Sequence, residues 1–119
     1  MANTIFDADC PTRHVLESIS KKWAALALFL LSEKPHRFSD LLRGIDGISQ
    51  KVLTQTLRNL ERNGLVKRTV NSKTVPISVT YSLTPLGRSL AKPIDAIRHW
   101  TEEHSGQVLK AQKAYDHKS

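Results

Sequence analysis

The chain has a single cysteine, Cys10, so no internal disulfide is available and a reducing compartment is the expected home. Long apolar runs are also missing. The longest, Trp23 to Leu31, is nine residues, whereas about 20 are needed to span a bilayer. That run is expected to be a buried helix, and no membrane partner is expected. No apolar stretch follows a basic N-terminus, so no secretory signal is read and a cytoplasmic location is expected. Repeats and low-complexity tracts are absent. There is no nucleophile elbow, no glycine-rich phosphate loop and no pair of carboxylates on a catalytic turn, so no enzyme is read. The five histidines, His14, His36, His99, His104 and His117, are scattered without a His-x-x-x-His pair. With one cysteine beside them, neither a metal site nor a cofactor is expected.

Acidic residues are scarce relative to basic ones. Eleven stand against 18, for a net charge of +7 and a pI near 9.9, which implies an anionic partner. The excess is local. Residues 1–30 carry three of each sign, residues 31–75 nine basic and four acidic, and residues 76–119 six and four. A chain of 119 residues makes one domain, and its basic middle is where affinity from counterion release would arise.

That middle contains one amphipathic segment with clear punctuation, Gly47 to Val66. Ser49 is placed to N-cap a helix over 50–63, and Ile48 with Leu53 has the spacing of a hydrophobic staple. Gly64 is placed to stop the helix with a left-handed residue. Leu53, Leu57 and Leu60 form one apolar stripe. Lys51, Gln55, Arg58 and Arg62 fall opposite, within an arc of about 60°, with Thr54 at its flank and Gln50 in the first turn. A solvated helix face would have the same outline. Yet three cations and a glutamine are what a helix needs to reach phosphates and base edges in a major groove.

The neighbouring residues give that helix a context. A loose, flexible arm is expected over 1–9, then a helix from Cys10-Pro11 through Ile19 with Val15, Leu16 and Ile19 on one face. The buried helix over Trp23 to Leu31 comes next. His36-Arg37-Phe38 suffices for a bridge or edge strand, and Ser39 is placed to cap a short helix, Asp40 to Arg43. A glycine-bearing turn, residues 44–47, leads into the amphipathic helix, which is helix-turn-helix order with the second helix as reader. Behind it, Leu65 to Val70 and Val75 to Leu83 alternate as the strands of a hairpin, a wing over 65–83 with a polar tip at Asn71 to Thr74. Lys67 and Arg68 lie at its base and Lys73 at its tip. Thr84-Pro85 opens a last helix, expected over 85–105, with Leu86, Leu90, Ile94, Ile97 and Trp100 in a stripe and a kink ahead of Pro93. A polar tail, 106–119, closes the chain. The fold class expected is α+β, mainly α: a winged helix-turn-helix with N- and C-terminal dimerisation helices over 10–105. The last stripe exceeds what a small core needs. A homodimer across Val15, Ile94, Ile97 and Trp100 would use it, and would set two reading helices about 34 Å apart on one duplex face.

Several strings resemble the HxlR-type transcriptional regulators of the MarR-like winged-helix group: Cys10-Pro11; Lys22-Trp23; residues 36–41, HRFSDL; residues 47–55, GISQKVLTQ; residues 60–66, LERNGLV; and residues 81–87, YSLTPLG. The likeness runs from Cys10 to about Trp100. It implies a homodimer on double-stranded operator DNA, with Ser49, Gln50, Lys51, Thr54, Gln55 and Arg58 at the reading positions. Arg62, Arg37 and Lys73 complete the expected DNA-binding set. The wing departs from the family pattern, which often has a proline-rich tip and an acidic residue before the tyrosine; here Thr80 precedes Tyr81. In some relatives a cysteine at the position of Cys10 senses oxidants or electrophiles, which makes Cys10 a candidate sensor thiol and an electrophile a candidate effector. A helix N-terminus favours the thiolate; Asp7 and Asp9 disfavour it. A repressor is the expected regulator. The alternative left open is a winged-helix protein–protein interaction module with no sequence-specific DNA binding.

Overall fold

The structure is a computed structural model and describes residues 4–118. Five helices and three strands follow in the order α1 (Pro11–Ser20), α2 (Lys22–Glu33), β1 (His36–Arg37), α3 (Phe38–Gly44), α4 (Gln50–Arg62), β2 (Val66–Asn71), β3 (Ser78–Leu83) and α5 (Pro85–Lys118). The strands form one antiparallel sheet in the order β1-β3-β2. This is the winged helix-turn-helix arrangement: three helices, a hairpin, and flanking helices at both ends.

The core is built around α2, whose Ala24, Ala27, Leu28 and Leu31 are buried. Leu41 of α3, Leu53, Leu57 and Leu60 of α4, Tyr81 and Leu83 of β3, and Ile94 of α5 join the same cluster. Each fully buried leucine of this kind contributes about 1.5–3 kcal/mol from the area it withdraws from water. The other side of α2 is only partly covered: Leu26, Phe29 and Leu30 are half-buried. Among the described residues, no helix is long and apolar enough to cross a membrane.

The sheet register separates two faces. Val66 pairs with Leu83, Arg68 with Tyr81 and Val70 with Val79 on the side facing the helices; Lys67 with Ser82, Thr69 with Thr80 and Asn71 with Ser78 form a polar outer side. β1 adds only His36↔Tyr81 and Arg37↔Thr80. The second wing strand begins at Ser78 instead of Val75. Pro76 has no N–H for the ladder, and the single proton of the Thr74 hydroxyl is within reach of either the Asn71 or the Pro76 carbonyl oxygen, so residues 72–77 form the tip.

Several expected boundaries shift. α3 starts at Phe38, with Arg37 as N-cap and no side-chain cap bond, so Ser39 lies inside the helix. Residues 4–9 of the expected arm are turned and tied to α1: Asp7 N–H donates to the Thr4 carbonyl at 3.0 Å and Arg13 Nη1 to the Phe6 carbonyl at 3.1 Å. Residues 1–3 of that arm lie outside the described residues.

The largest correction is α5. The sequence places its end at 105, or one turn later through Val108 and Leu109, before a polar tail, but it continues through Gly106 to Lys118, 34 residues in all, with Pro93 inside. Thr84 caps its start, accepting from Gly87 N–H at 3.0 Å. The apolar stripe also divides. Ile94 is 7% exposed and belongs to the protomer's own core, so it cannot serve a partner surface as expected. Leu86, Ile97 and Trp100 lie more than half exposed on another side. Three residues along a helix turn a side chain by about 60°, enough to move Ile97 away from the face that packs on α2. An ion pair also reaches α2, with Arg98 Nη1 on Glu33 Oε1 at 3.1 Å; an exposed pair of this kind contributes little.

Candidate nucleic-acid interface

α4 is fixed at both ends by its own sequence. Ser49 Oγ accepts from Val52 N–H at 3.1 Å, satisfying one amide of the first turn. Ile48 and Leu53 enter the same core cluster across that turn, as a staple requires. At the far end Gly64 has φ +76°. Its N–H donates to the Glu61 carbonyl at 2.9 Å, and Leu65 N–H donates to the Leu60 carbonyl at 3.0 Å. That paired closure needs a left-handed residue, which glycine adopts without cost to a Cβ. Leu53, Leu57 and Leu60 are at most 1% exposed and fix the rotation of the helix about its axis. Ser49→Ala should therefore lower stability by about 1 kcal/mol, readable as a shifted urea midpoint; an unchanged midpoint would deny the cap any role.

With the stripe inward, the arc faces out. Lys51, Gln55, Arg58 and Arg62 are exposed, and among the described residues their side chains have no hydrogen bond or ion pair. Gln50, Lys51, Thr54, Gln55 and Arg58 line one shallow depression of about 560 Å³. The structure therefore brings five of the expected reading residues onto one surface. Ser49 stands at its edge with its oxygen already used by the cap. Thr54 Oγ1 donates to the Gln50 carbonyl at 2.9 Å, leaving its lone pairs to accept. Arg62 is in the last turn, beyond the depression.

Arg37 is not brought into this group. Its partner Thr80 places it on the polar outer face of the sheet, with Lys67. Lys73 lies in the connection between the strands, its N–H donating to Asn71 Oδ1 at 3.1 Å. Beside it the tip is apolar as well as basic, with Val75 98% exposed. Arg68, grouped with Lys67 in the sequence, is separated from it by the register and lines a groove shared with α4. Strict alternation along β2 was the signal that could have made that distinction.

Cys10 is the N-cap of α1 and is only 2% exposed. Its pKa is lowered, first by the backbone N–H of Arg13, while burial works in the other direction and Thr12 and the Arg13 charge assist. A thiol at a helix start is the physical setting for such a shift. Among the described residues, no group of three His, Cys, Asp or Glu side chains could hold a metal ion.

α1 and the outer side of α5 are the other conspicuous surface. α1 contributes no buried residue; Val15 and Leu16 are about half exposed. Along α5, Leu86, Pro93, Ile97, Trp100, Val108 and Tyr115 recur at helical spacing, all exposed, and the His104 ring stacks on Trp100 at 4.8 Å between centroids.

A family model described as HxlR-like helix-turn-helix matches residues 18–108. The HTH-type transcriptional regulator YtfH of Escherichia coli is 42% identical over 105 residues, 88% of this chain and 82% of the relative. The solved structure of a transcriptional regulator YtfH from Salmonella typhimurium superposes with a TM-score of 0.86 at 39% identity, covering 92% of this chain and 97% of that one. The redox regulator HypR in its reduced form superposes at 0.75 with 34% identity, covering 85% and 98%.

Proposed function

The chain belongs to the HxlR-like helix-turn-helix family, transcriptional regulators and not enzymes, and from that premise we propose that it is a cytoplasmic homodimer that binds operator DNA and represses the promoter it occupies. The observation that carries this reading is the arc on α4. Lys51, Gln55 and Arg58 share one outward surface without partners, on a helix whose rotation is fixed by three buried leucines. Gln55 and Arg58 are the base readers, since their forked groups match adenine and guanine edges; Lys51, Arg62 and Lys73 meet phosphates. Two copies reading adjacent turns supply the specificity that one small module lacks, and a dimer seated on a promoter excludes polymerase.

The test is binding to a palindromic promoter fragment at physiological salt, with about a thousandfold preference over random duplex expected. Equal affinity for every duplex would leave only the protein-contact reading. Arg58→Ala should cost about 1–3 kcal/mol at the preferred site and relax the preference at one base position. Lys73→Ala should weaken binding to all sequences and reduce the salt slope by about one. If Arg58→Ala retains the full preference, the reading face is misassigned.

The dimer is supported by the surfaces that the protomer leaves open. α1 has no fully buried residue and packs on the core mainly through Ile19, leaving Val15 and Leu16 about half exposed, and the outer stripe of α5 has its large apolar side chains in solvent. Ile94 is not part of that surface. The two-fold contact is built on Val15, Ile97 and Trp100.

A redox response is a second reading with an observation of its own. Cys10 has a lowered pKa at the start of α1, and HypR, 34% identical, is described as a redox regulator. Its small exposure restricts attack to small oxidants. Hydrogen peroxide should release the promoter fragment from the protein but not from Cys10→Ser; equal release from both would remove the thiol from the mechanism.

A further inference from the structure

The outer face of the sheet carries charge that the reading arc does not use. Arg37 opposes Thr80 and Lys67 opposes Ser82, so both cations stand on that face. Ser82 also lines a hollow of about 320 Å³ where the ends of α2 and β3 meet the start of α5. Lys34 and Arg88 are in the same lining, and Arg88 is held there by the bond from its Nη1 to the Leu83 carbonyl, 3.1 Å. The inner face is a separate surface: there Arg68 joins Arg58 of α4 in a groove walled by Phe38 and Tyr81.

The charges of the four outer cations are unspent. Among the described residues none of the four is ion-paired. The acids on the adjoining segments, Glu33 and Asp40, are paired with Arg98 and Arg43. From Arg62 through Ile94 the chain has six basic residues and no acidic one. The hollow beside the cations is apolar for the most part, with Leu31, Pro35, Leu83 and Ala91 in its walls. The surface therefore sets two demands at once: negative charge along the sheet, and one apolar side chain in the hollow.

We propose that this face docks an acidic segment of a partner protein, an extended peptide whose carboxylates meet Arg37, Lys67, Lys34 and Arg88 and whose one large apolar side chain fills the hollow. Spacing fits such a segment. Arg37 and Lys67 stand on opposite sides of β3 and one outward row apart, about 12 Å between them by strand geometry. Alternate side chains of an extended chain recur about every 7 Å, so carboxylates four residues apart span the two cations. The planar forks of Arg37 and Arg88 suit carboxylates. A phosphate backbone would meet the charges and leave the hollow empty, which favours a peptide over a second stretch of nucleic acid. The outer face points away from α4, so the partner and the operator are held together. That joint occupancy rests on the reading role given to α4 above; the docking itself does not.

The probe is a dye-labelled heptapeptide of aspartate and glutamate with a central leucine, titrated with the full chain at physiological salt and followed by fluorescence anisotropy. A dissociation constant at or below about 100 μM is expected. Alanine in place of the leucine should weaken binding about tenfold. Lys34→Gln with Lys67→Gln should also weaken it about tenfold, whereas Lys110→Gln with Lys113→Gln, the same loss of charge at the end of α5, should leave it unchanged; thermal melts show that both proteins fold. Binding that is absent, indifferent to the leucine, or weakened equally by the two pairs of substitutions overturns the site. A random duplex that displaces the peptide through Lys34 and Lys67 assigns the face to nucleic acid and overturns it as well. With saturating promoter fragment the peptide should remain bound; its displacement overturns joint occupancy. Failure of the reading role is seen separately, as absence of preference among duplexes with no peptide present.

Discussion

Gly87→Ala is expected to cost the fold about 3 kcal/mol, a fall in melting temperature of roughly 12 °C for a chain of this size. Gly87 is buried in the first turns of α5. A Cβ there would fall inside the van der Waals envelope of the Leu65 carbonyl oxygen and 3.2 Å from Leu83 Cδ2. The carbonyl cannot retreat, because it accepts from Thr84 N–H at 3.1 Å. Thr84 cannot move either: its hydroxyl donates to the Gly64 carbonyl and accepts from Gly87 N–H. The residues that close α4 and those that open α5 are thus one knot. Gly106→Ala tests the explanation with the same added methyl on the same helix. Nothing lies within 4 Å of its Cβ position, so only the helix preference for alanine remains, a gain of about 0.5–1 kcal/mol. Thermal melts of the two variants should move in opposite directions, and a Gly87→Ala protein that melts with the wild type would show that the junction can yield.

Ile97→Asp should abolish the proposed dimer without unfolding the protomer. Ile97 is 59% exposed in the single chain, so a carboxylate there costs the monomer little. In the proposed two-fold contact the same carboxylate leaves water as an unpaired charge, which costs several kcal/mol. The dimer dissociation constant should rise about a hundredfold or more, and affinity for the palindromic fragment should collapse toward that of one module. Ile94→Asp provides the contrast. That residue is 7% exposed within the protomer, so its replacement should unfold the chain. Sedimentation at micromolar concentration with a parallel thermal melt distinguishes the two. A fully dimeric, fully folded Ile97→Asp protein would move the interface elsewhere.

The contrast between Ile94 and Ile97 also marks the limit of what the chain reveals when read as text. α4 was legible because everything that defines it is local: Ser49 and Val52, Ile48 and Leu53, Gly64 and Leu65 are neighbours, and their bonds form within the segment. The wing was legible from its alternation, apart from the tip, where Pro76 and the hydroxyl of Thr74 delay β3. The division of the α5 stripe was not, because periodicity gives a face, and only packing against α2 decides which edge of that face is spent inside the protomer. The length of α5 was hidden by Gly106 and the polar residues after it, although Val108, Ala111 and Tyr115 continue the helical spacing. The groove beside Arg58 draws on Phe38, Arg68 and Tyr81 from distant parts of the chain, and no spacing rule joins them.

That longer α5 bears on the shape of any assembly. From Leu86 through Leu90, Pro93, Ile97, Trp100, His104, Val108 and Ala111 to Tyr115, the steps of three and four residues include two consecutive fours, on either side of His104. A strict seven-residue repeat would drag a paired helix into a left-handed supercoil. The extra four brings the average step close to the natural 3.6 residues of a straight helix. Beyond Pro93, where an interior proline bends a helix, two such helices would lie together as nearly straight rods. The distance and tilt between the two reading helices would then be set by where along the rod the pair crosses, and a shift of contact by one turn would move each DNA-binding head by about 5.4 Å, which is enough to change the half-site spacing that the dimer accepts.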